Sequence, residues 1–120
     1  MPDLSLSSRK RLLEMARAAI KSHLETGDRL TLKNESPELA IPRGCFVTIY
    51  KNGQLRGCIG NIIGRGPLCL TVRDMAMAAA TEDRRFESIR KDEVAVIDIE
   101  ISVLLKPRVI KNIDEIQGSF

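Results

Sequence analysis

The fold of this chain is decided by the stretch CFVTIYKNGQLRGCIG, residues 45–60. Its first half is rich in β-branched and aromatic residues, which favour an extended strand. Asn52-Gly53 then signals a two-residue hairpin turn, because both central positions of such a turn need a positive φ. Extended character resumes in LRGCI, residues 55–59. The stretch therefore predicts two antiparallel strands joined by a tight turn.

A two-residue turn also predicts the register of the hairpin. The expected partners are Tyr50 with Leu55, Ile49 with Arg56, Thr48 with Gly57, Val47 with Cys58 and Phe46 with Ile59. One face would carry Phe46, Tyr50, Leu55 and Ile59, and the other would carry Cys45, Val47, Ile49, Arg56 and Cys58. Arg56 and Cys58 are thus predicted to share a face, and Arg56 needs an acidic partner there if it is buried.

Amphipathic patterns predict a helix on each side of the hairpin in the sequence. Ser5 or Ser7 can cap a first helix that runs to about residue 25 and stops at Gly27. Its apolar residues recur at helical spacing: Leu12, Leu13, Ala16, Ile20 and Leu24. Pro67 suits the start of a second helix over residues 68–81, which has few polar residues and should be mostly buried.

The remaining segments are a connection and a last strand. Residues 26–44 mix glycine, proline and polar residues, which predicts a connection with at most a short strand at 30–32. Val94 to Leu105 alternate as a strand, with Asp98 and Glu100 on the face opposite the isoleucines. We expect one of these two carboxylates to pair with Arg56. The prediction is one α+β domain over residues 1–120, with an antiparallel sheet built around the hairpin and flanked by helices.

Composition narrows the classes of function. The net charge is +3 and aromatic residues make up 3% of the chain. A surface of this composition is poorly suited to nucleic acid, which disfavours RNA binding. No apolar run suggests a membrane span and charges interrupt the first twenty residues, so we expect a cytoplasmic protein. The cysteines, Cys45, Cys58 and Cys69, form no CxxC pair, which favours reduced thiols without a structural zinc.

Segments along most of the chain resemble one family. They are PRGCFVTIYKNGQLRGCIGNI at 42–62, AAATEDRRF at 78–86 and IEISVLLKP at 99–107. Together they resemble the AMMECR family, the A component of the microbial AmmeMemoRadiSam system, whose hallmark is the hexapeptide LRGCIG. The resemblance implies an antiparallel sheet flanked by helices and no established biochemical activity. It also implies Memo-type or radical-SAM proteins as partners.

Two departures from the family pattern bear on these implications. Asp83-Arg84-Arg85-Phe86 stands where the family usually has Asp-Pro-Arg-Phe. The family domain also continues past the position of Phe120, which predicts a domain lacking its carboxyl-terminal part. We therefore expect an apolar patch where later segments would pack, and self-association through it.

Cys58 is the candidate catalytic residue. It could be a nucleophile activated by Arg56, or a small hydrophobic residue packed against Val47. His23, the one histidine, lies beside the apolar stripe of the first helix, where either packing or exposure to solvent explains it. We predict no metal, because the cysteines form no CxxC pair. We predict no nucleotide cofactor, because the glycines after the hairpin lack the spacing of a P-loop or a dinucleotide fingerprint.

Binding residues are predicted around Cys58. They are Arg56, Gly57, Cys58, Gly60, Asp83, Arg85 and Glu100. Gly57 and Gly60 either admit a ligand or another backbone, or mark a bulge. Asp83 and Arg85 form either the rim of a site or a local ion pair, and Glu100 with Asp98 is either an acid–base or ligand pair or a partner of Arg56. The leading hypothesis is an accessory or binding protein that uses the LRGCIG surface for a partner protein or small ligand, with a cysteine-dependent enzyme and an RNA-binding module as alternatives.

Overall fold

The computed structural model describes residues 4–32 and 36–104. Within them, the α-helices are α1 (Leu6–Thr26), α2 (Pro37–Ala40) and α3 (Leu68–Thr81). The strands are β1 (Cys45–Lys51), β2 (Gln54–Asn61) and β3 (Ile97–Val103), which form an antiparallel sheet in the order β2-β1-β3. The predicted α+β class is confirmed. None of the described helices is both long and apolar enough to cross a membrane.

The hairpin forms where the sequence predicts it, but its register changes at a bulge. Asn52 and Gly53 have φ values of 53° and 77°, as a two-residue hairpin turn requires. Tyr50 pairs with Leu55 as expected, but the next residue of β1, Ile49, pairs with Gly57 and not with Arg56. Arg56 is the extra residue of a β-bulge. The predicted register is therefore wrong by one residue beyond the Tyr50–Leu55 pair.

Because of the bulge, each later residue of β2 lies on the opposite face of the sheet from the one predicted. Beyond it, Thr48 lies opposite Cys58, Val47 opposite Ile59 and Phe46 opposite Gly60. The prediction that Cys58 shares a face with Cys45, Val47 and Ile49 is thus wrong, because Cys58 lies with Phe46, Thr48 and Tyr50. A period of two makes a single inserted residue enough to move every later side chain to the other face.

One face of the sheet packs on α1 and α3, and the hydrophobic core lies between these layers. Its fully buried side chains include Leu12, Met15, Ile20, Val47, Ile49, Val72 and Ile97. Ser5 caps α1 by accepting a hydrogen bond from the Ser8 N–H, and Gly27 ends the helix in the left-handed conformation, φ 79°. Both predicted ends of this helix are confirmed. Leu13, assigned to its apolar stripe, is 40% exposed and lies at the edge of the core.

The connection between α1 and β1 differs from its prediction. Residues 30–32 form no strand, and the four-residue helix α2 follows instead, with Pro37 in its first turn. Glu38 of α2 accepts hydrogen bonds from the Ser5 backbone N–H and from the hydroxyls of Ser5 and Ser8. Donation by Ser8 and Ser5 lowers the pKa of Glu38. The capping residue of α1 is thus also the attachment point for α2.

The last strand is shorter than predicted. A 3-10 turn over Lys91–Glu93 precedes it, and β3 begins at Ile97. From there the predicted alternation holds: Ile97, Ile99, Ile101 and Val103 lie on the core side of the sheet, opposite Lys51, Ile49, Val47 and Cys45 of β1. Leu105, the last residue of the predicted strand, lies outside the described residues.

Candidate functional site

The face of the sheet turned away from the helices carries a row of three polar side chains, one from each strand. Thr48 in the central strand lies opposite Cys58 on one side and Glu100 on the other. Phe46 and Tyr50 precede and follow Thr48 on the same face, since side chains two residues apart in a strand point the same way. We call this surface, made by Phe46, Thr48, Tyr50, Cys58 and Glu100, the open face.

Cys58 is the accessible cysteine. Its Sγ atom lies 3.2 Å from Thr48 Oγ1, and the residue is partly exposed. Cys45 and Cys69 are both buried. Burial raises the pKa of Cys45 to about 12, so this thiol stays protonated at neutral pH. The alternative in which Cys58 is a hydrophobic residue packed against Val47 is wrong, because the two side chains lie on opposite faces of the sheet.

The segment after α3 is fixed against the backbone of Cys58. The Cys58 N–H donates to Asp83 Oδ2 at 3.0 Å, which satisfies a donor at the outer edge of β2. Arg85 holds the same carboxylate with Nη2 at 2.7 Å from Oδ2 and Nε at 3.0 Å from Oδ1. Hydrogen bonding by Arg85, and then by Cys58, keeps the pKa of Asp83 far below its usual value. The Arg85 guanidinium also lies over the Phe86 ring, 5.3 Å from its centroid.

Asp83 and Arg85 therefore form a local ion pair that is also attached to the candidate site. The Asp83 side chain is 7% exposed, whereas that of Arg85 is 60% exposed. The local ion pair expected from the sequence is present. A role for this pair at the rim of a site stays a prediction, and the pair borders the strand that carries Cys58. An ionised Asp83 and an exposed guanidinium lie at this border.

Arg56 has a different partner from the one expected. Its guanidinium donates to Glu93 and to the backbone carbonyls of Glu87 and Ser88. The expectation that Asp98 or Glu100 pairs with it is wrong, because the bulge carries Arg56 toward the segment that precedes β3. Both acidic residues are exposed on β3. Arg56 is thus used to attach the hairpin to residues 87–93, and this use does not involve the Cys58 thiol.

Glu93 is the charged residue that the sequence analysis missed. Its side chain is 4% exposed and also lies 2.9 Å from Lys51 Nζ. Burial alone would raise the pKa of Glu93, but hydrogen bonds from the Arg90 backbone N–H, Lys51 and Arg56 lower it to about 2. In the sequence it stands in the run RKDE, where nothing distinguishes it from its exposed neighbours. A buried carboxylate of this kind is identified by its partners, and these are distant in the chain.

The two glycines of LRGCIG, Gly57 and Gly60, each leave no space for a side chain, but the neighbouring group differs. A Cβ atom on Gly57 would lie 2.2 Å from the backbone oxygen of Ala79, so Gly57 is where α3 approaches the sheet. A Cβ on Gly60 would lie 2.1 Å from the ring of Phe46, which covers this glycine on the open face. Both predicted alternatives apply to Gly57, which another backbone approaches closely and which directly follows the bulge. Gly60 provides space for an aromatic ring.

The open face offers a thiol, a hydroxyl and a carboxylate in one row, but no imidazole. His23 lies on α1, on the opposite side of the sheet from the Cys58 side chain. In residues 4–32 and 36–104, no three histidine, cysteine or acidic side chains are grouped to hold a metal ion. The chemistry available to this face is hydrogen bonding, attraction of a positive group to Glu100 and modification of the thiol.

The predicted site residues thus fall into two groups. Cys58, Gly60 and Glu100 lie on the open face, and Asp83 and Arg85 lie at its β2 edge. Arg56 and Gly57 contact other parts of the protein. Arg56 donates to Glu93, and Gly57 lies against the backbone of Ala79. The functional roles of all seven residues stay predictions.

Comparison with known proteins bears on the family and the fold of the chain. The family model AMMECR1 matches residues 13–119, which is most of the chain. The chain belongs to the AMMECR1 family. A crystal structure of the uncharacterized protein PH0010 from Pyrococcus horikoshii superposes with a TM-score of 0.85 at 31% identity, covering 94% of this chain and 59% of that one.

Archaeal relatives are similar in sequence. A protein of Methanothermobacter thermautotrophicus is 40% identical over 105 residues, which cover 87% of this chain and 55% of that protein. One from Methanopyrus kandleri is 40% identical over 108 residues, covering 88% of this chain and 52% of that protein. The chain thus spans about half the length of the curated relatives it matches.

Proposed function

We propose that this chain is a cytoplasmic accessory or binding protein of the AMMECR1 family, and that its open face binds a partner protein or a small ligand. The observation that carries the proposal is the row Cys58–Thr48–Glu100, which lies on a sheet face that no described helix covers. Glu100 is exposed and Cys58 partly so. Membership of the family is consistent with a binding role of this kind.

The composition of the open face supports binding of a macromolecule or a ligand. Phe46 is 36% exposed, and Tyr50 lies partly exposed on the other side of Thr48. Aromatic residues are enriched at the centres of protein interfaces, where a ring contributes apolar area and loses little conformational entropy. Thr48 and Glu100 add directional hydrogen bonding between the two rings. A surface with these groups fits a partner that presents an apolar segment and a positive charge.

The partner class that the family resemblance suggests is a Memo-type protein. The experiment is titration of that protein by calorimetry with the wild-type chain, with Glu100→Lys and with Asp28→Lys as the matched control. Asp28 is exposed and follows α1, which packs on the other face of the sheet. We expect Glu100→Lys to weaken binding at least about tenfold, about 1.4 kcal/mol, and the control to bind like wild type. Absence of binding, or equal loss in both variants, would contradict the proposal.

A cysteine-dependent enzyme is the second candidate, and one contact favours it. Thr48 Oγ1 lies within hydrogen-bonding distance of Cys58 Sγ, at 3.2 Å, so the hydroxyl could orient a thiol or a thiolate. Under this alternative, Cys58→Ser abolishes turnover in a reconstituted Memo and radical-SAM reaction. Under the binding role, Cys58→Ser leaves turnover and partner affinity near wild type.

A further inference from the structure

The outer edge of β3 has backbone groups directed away from the sheet. The Leu104 N–H donates to Gly44 O, so even-numbered residues of β3 face β1 and odd-numbered ones direct their N–H and C=O outward. Arg17 of α1 donates to one of these outward carbonyls, that of Ile97. In the described part of the chain, no strand pairs with the edge beyond Ile97. An edge of this kind is a template for another chain.

A groove runs along this edge between α1 and β3. It comprises two adjoining cavities of about 780 and 450 Å³, which share Leu13 and Ile99 as lining residues. Leu13 is 40% exposed, and Leu6, earlier in the same helix, is 80% exposed. The apolar floor and the outward backbone groups lie on one flank of the molecule, which we call the α1–β3 flank.

The charges of α1 along the α1–β3 flank are self-complementary. The larger cavity is lined by Lys10, Glu14, Lys21 and Glu25, all of which are exposed. If a second α1 runs antiparallel, with a two-fold axis between Arg17 and Ala18, Lys10 lies opposite the second Glu25 and Glu14 opposite the second Lys21. The two-fold rotation generates each of these charge pairs twice, because both subunits use the same surface patch in a two-fold interface. A parallel helix would place like charges opposite each other.

We propose that the occupant of the α1–β3 flank is a second copy of this chain, docked by a two-fold axis with antiparallel α1 helices. The two β3 edges then lie on the same side of the dimer and approach each other, and Leu13 is covered. The assembly is closed, because a two-fold contact is satisfied by two copies. Glu100 of the open face also borders the smaller cavity. The proposal rests on the charges of α1, so it does not depend on the proposed function.

The experiment is sedimentation equilibrium of the full chain at several concentrations and two salt concentrations. We expect a monomer–dimer equilibrium with a dissociation constant that rises with salt, because the opposed charges are exposed. Glu14→Lys and Lys21→Glu should each raise the dissociation constant at least about tenfold, because each substitution creates two like-charge contacts in the dimer. The double variant exchanges the two charges, restores both pairs and should return the dissociation constant to within about threefold of wild type.

Controls keep the result specific to this interface. Glu82→Lys makes the same charge change at an exposed position at the end of α3 and should dimerise like wild type. Thermal unfolding checks that every variant is folded, and all substituted positions are exposed. A monomer at every concentration overturns the proposal, whether the groove stays open or other residues of the same chain cover it. A dimer that the single charge reversals do not weaken, or that the double variant does not restore, overturns it as well.

Discussion

Arg56 donates to both carboxylate oxygens of Glu93, with Nε 3.3 Å from Oε2 and Nη2 3.1 Å from Oε1. The two side chains are 17% and 4% exposed, so the pair is largely removed from water. It joins the bulge of β2 to the turn that precedes β3, across 37 residues of sequence. A bidentate arginine–carboxylate pair fixes geometry as well as charge, and here it fixes where the bulge lies.

Removal of Arg56 should therefore destabilise the fold. Arg56→Ala leaves Glu93 buried with less positive charge and leaves the carbonyls of Glu87 and Ser88 without this donor. We expect a loss of roughly 2 to 5 kcal/mol in the free energy of unfolding, measured by urea denaturation. Lys51→Ala should cost about 1 kcal/mol or less, because Lys51 is 31% exposed and water replaces part of its contact. Equal losses in the two variants would contradict this assignment.

The same carboxylate predicts a pH dependence of stability. The folded-state pKa of Glu93, about 2, lies below its ordinary value of 4.5. Its stabilising contribution is therefore complete above about pH 4.5 and is lost as the pH falls from there toward 2. Glu93→Gln lacks this titration, so the difference in unfolding free energy between wild type and variant should shrink over that interval. A difference that stays constant from pH 5 to pH 2 would show that Glu93 does not carry the effect.

Gly57 should be intolerant of a side chain. A Cβ atom there would lie 2.2 Å from the Ala79 backbone oxygen, and a helix backbone cannot give way like a flexible side chain. We expect Gly57→Ala to lower the free energy of unfolding by about 3 kcal/mol or more. Gly66→Ala is the matched control, since a Cβ at Gly66 meets nothing within 4 Å. Chemical denaturation of both variants measures the contrast, and a tolerated Gly57→Ala would refute the close approach of α3.

The elements that local patterns specify were predictable, and the register was not. Ser5 and Gly27 predicted the ends of α1, and residues 68–81 predicted α3, because capping and periodicity are local properties. The bulge depends on Arg56 reaching Glu93 and on Gly57 meeting α3, and both partners are distant in the sequence. Without the extra residue, Cys58 would face the helix and Gly57 would face away from it. Long-range packing thus decides which face the cysteine occupies.

The candidate site was predicted in its residue types but only partly in its geometry. The family resemblance drew attention to Cys58, Asp83 and Arg85, and the structure brings them together at the edge of β2. In the sequence Thr48 has no feature beyond that of a β-branched strand residue, although it contacts the thiol. Had the register been known, the alternation of β1 would have placed Thr48 beside Cys58. The sequence does not show that Arg56 is the extra residue of a bulge, and this residue alone moves Cys58 to the face of Thr48.

Selective alkylation should distinguish Cys58 from the other cysteines. In the native protein we expect iodoacetamide to add one carbamidomethyl group, at Cys58, because Cys45 and Cys69 are 0% and 6% exposed. In urea all three cysteines should react, and Cys58→Ala should abolish the native reaction while leaving the other two sites reactive after unfolding. Mass spectrometry of peptides locates each adduct. Modification of Cys45 or Cys69 at the same native rate would contradict the burial of these two thiols. Native Cys58 reacting faster below pH 7 than the unfolded chain would favour the enzyme over the binding role.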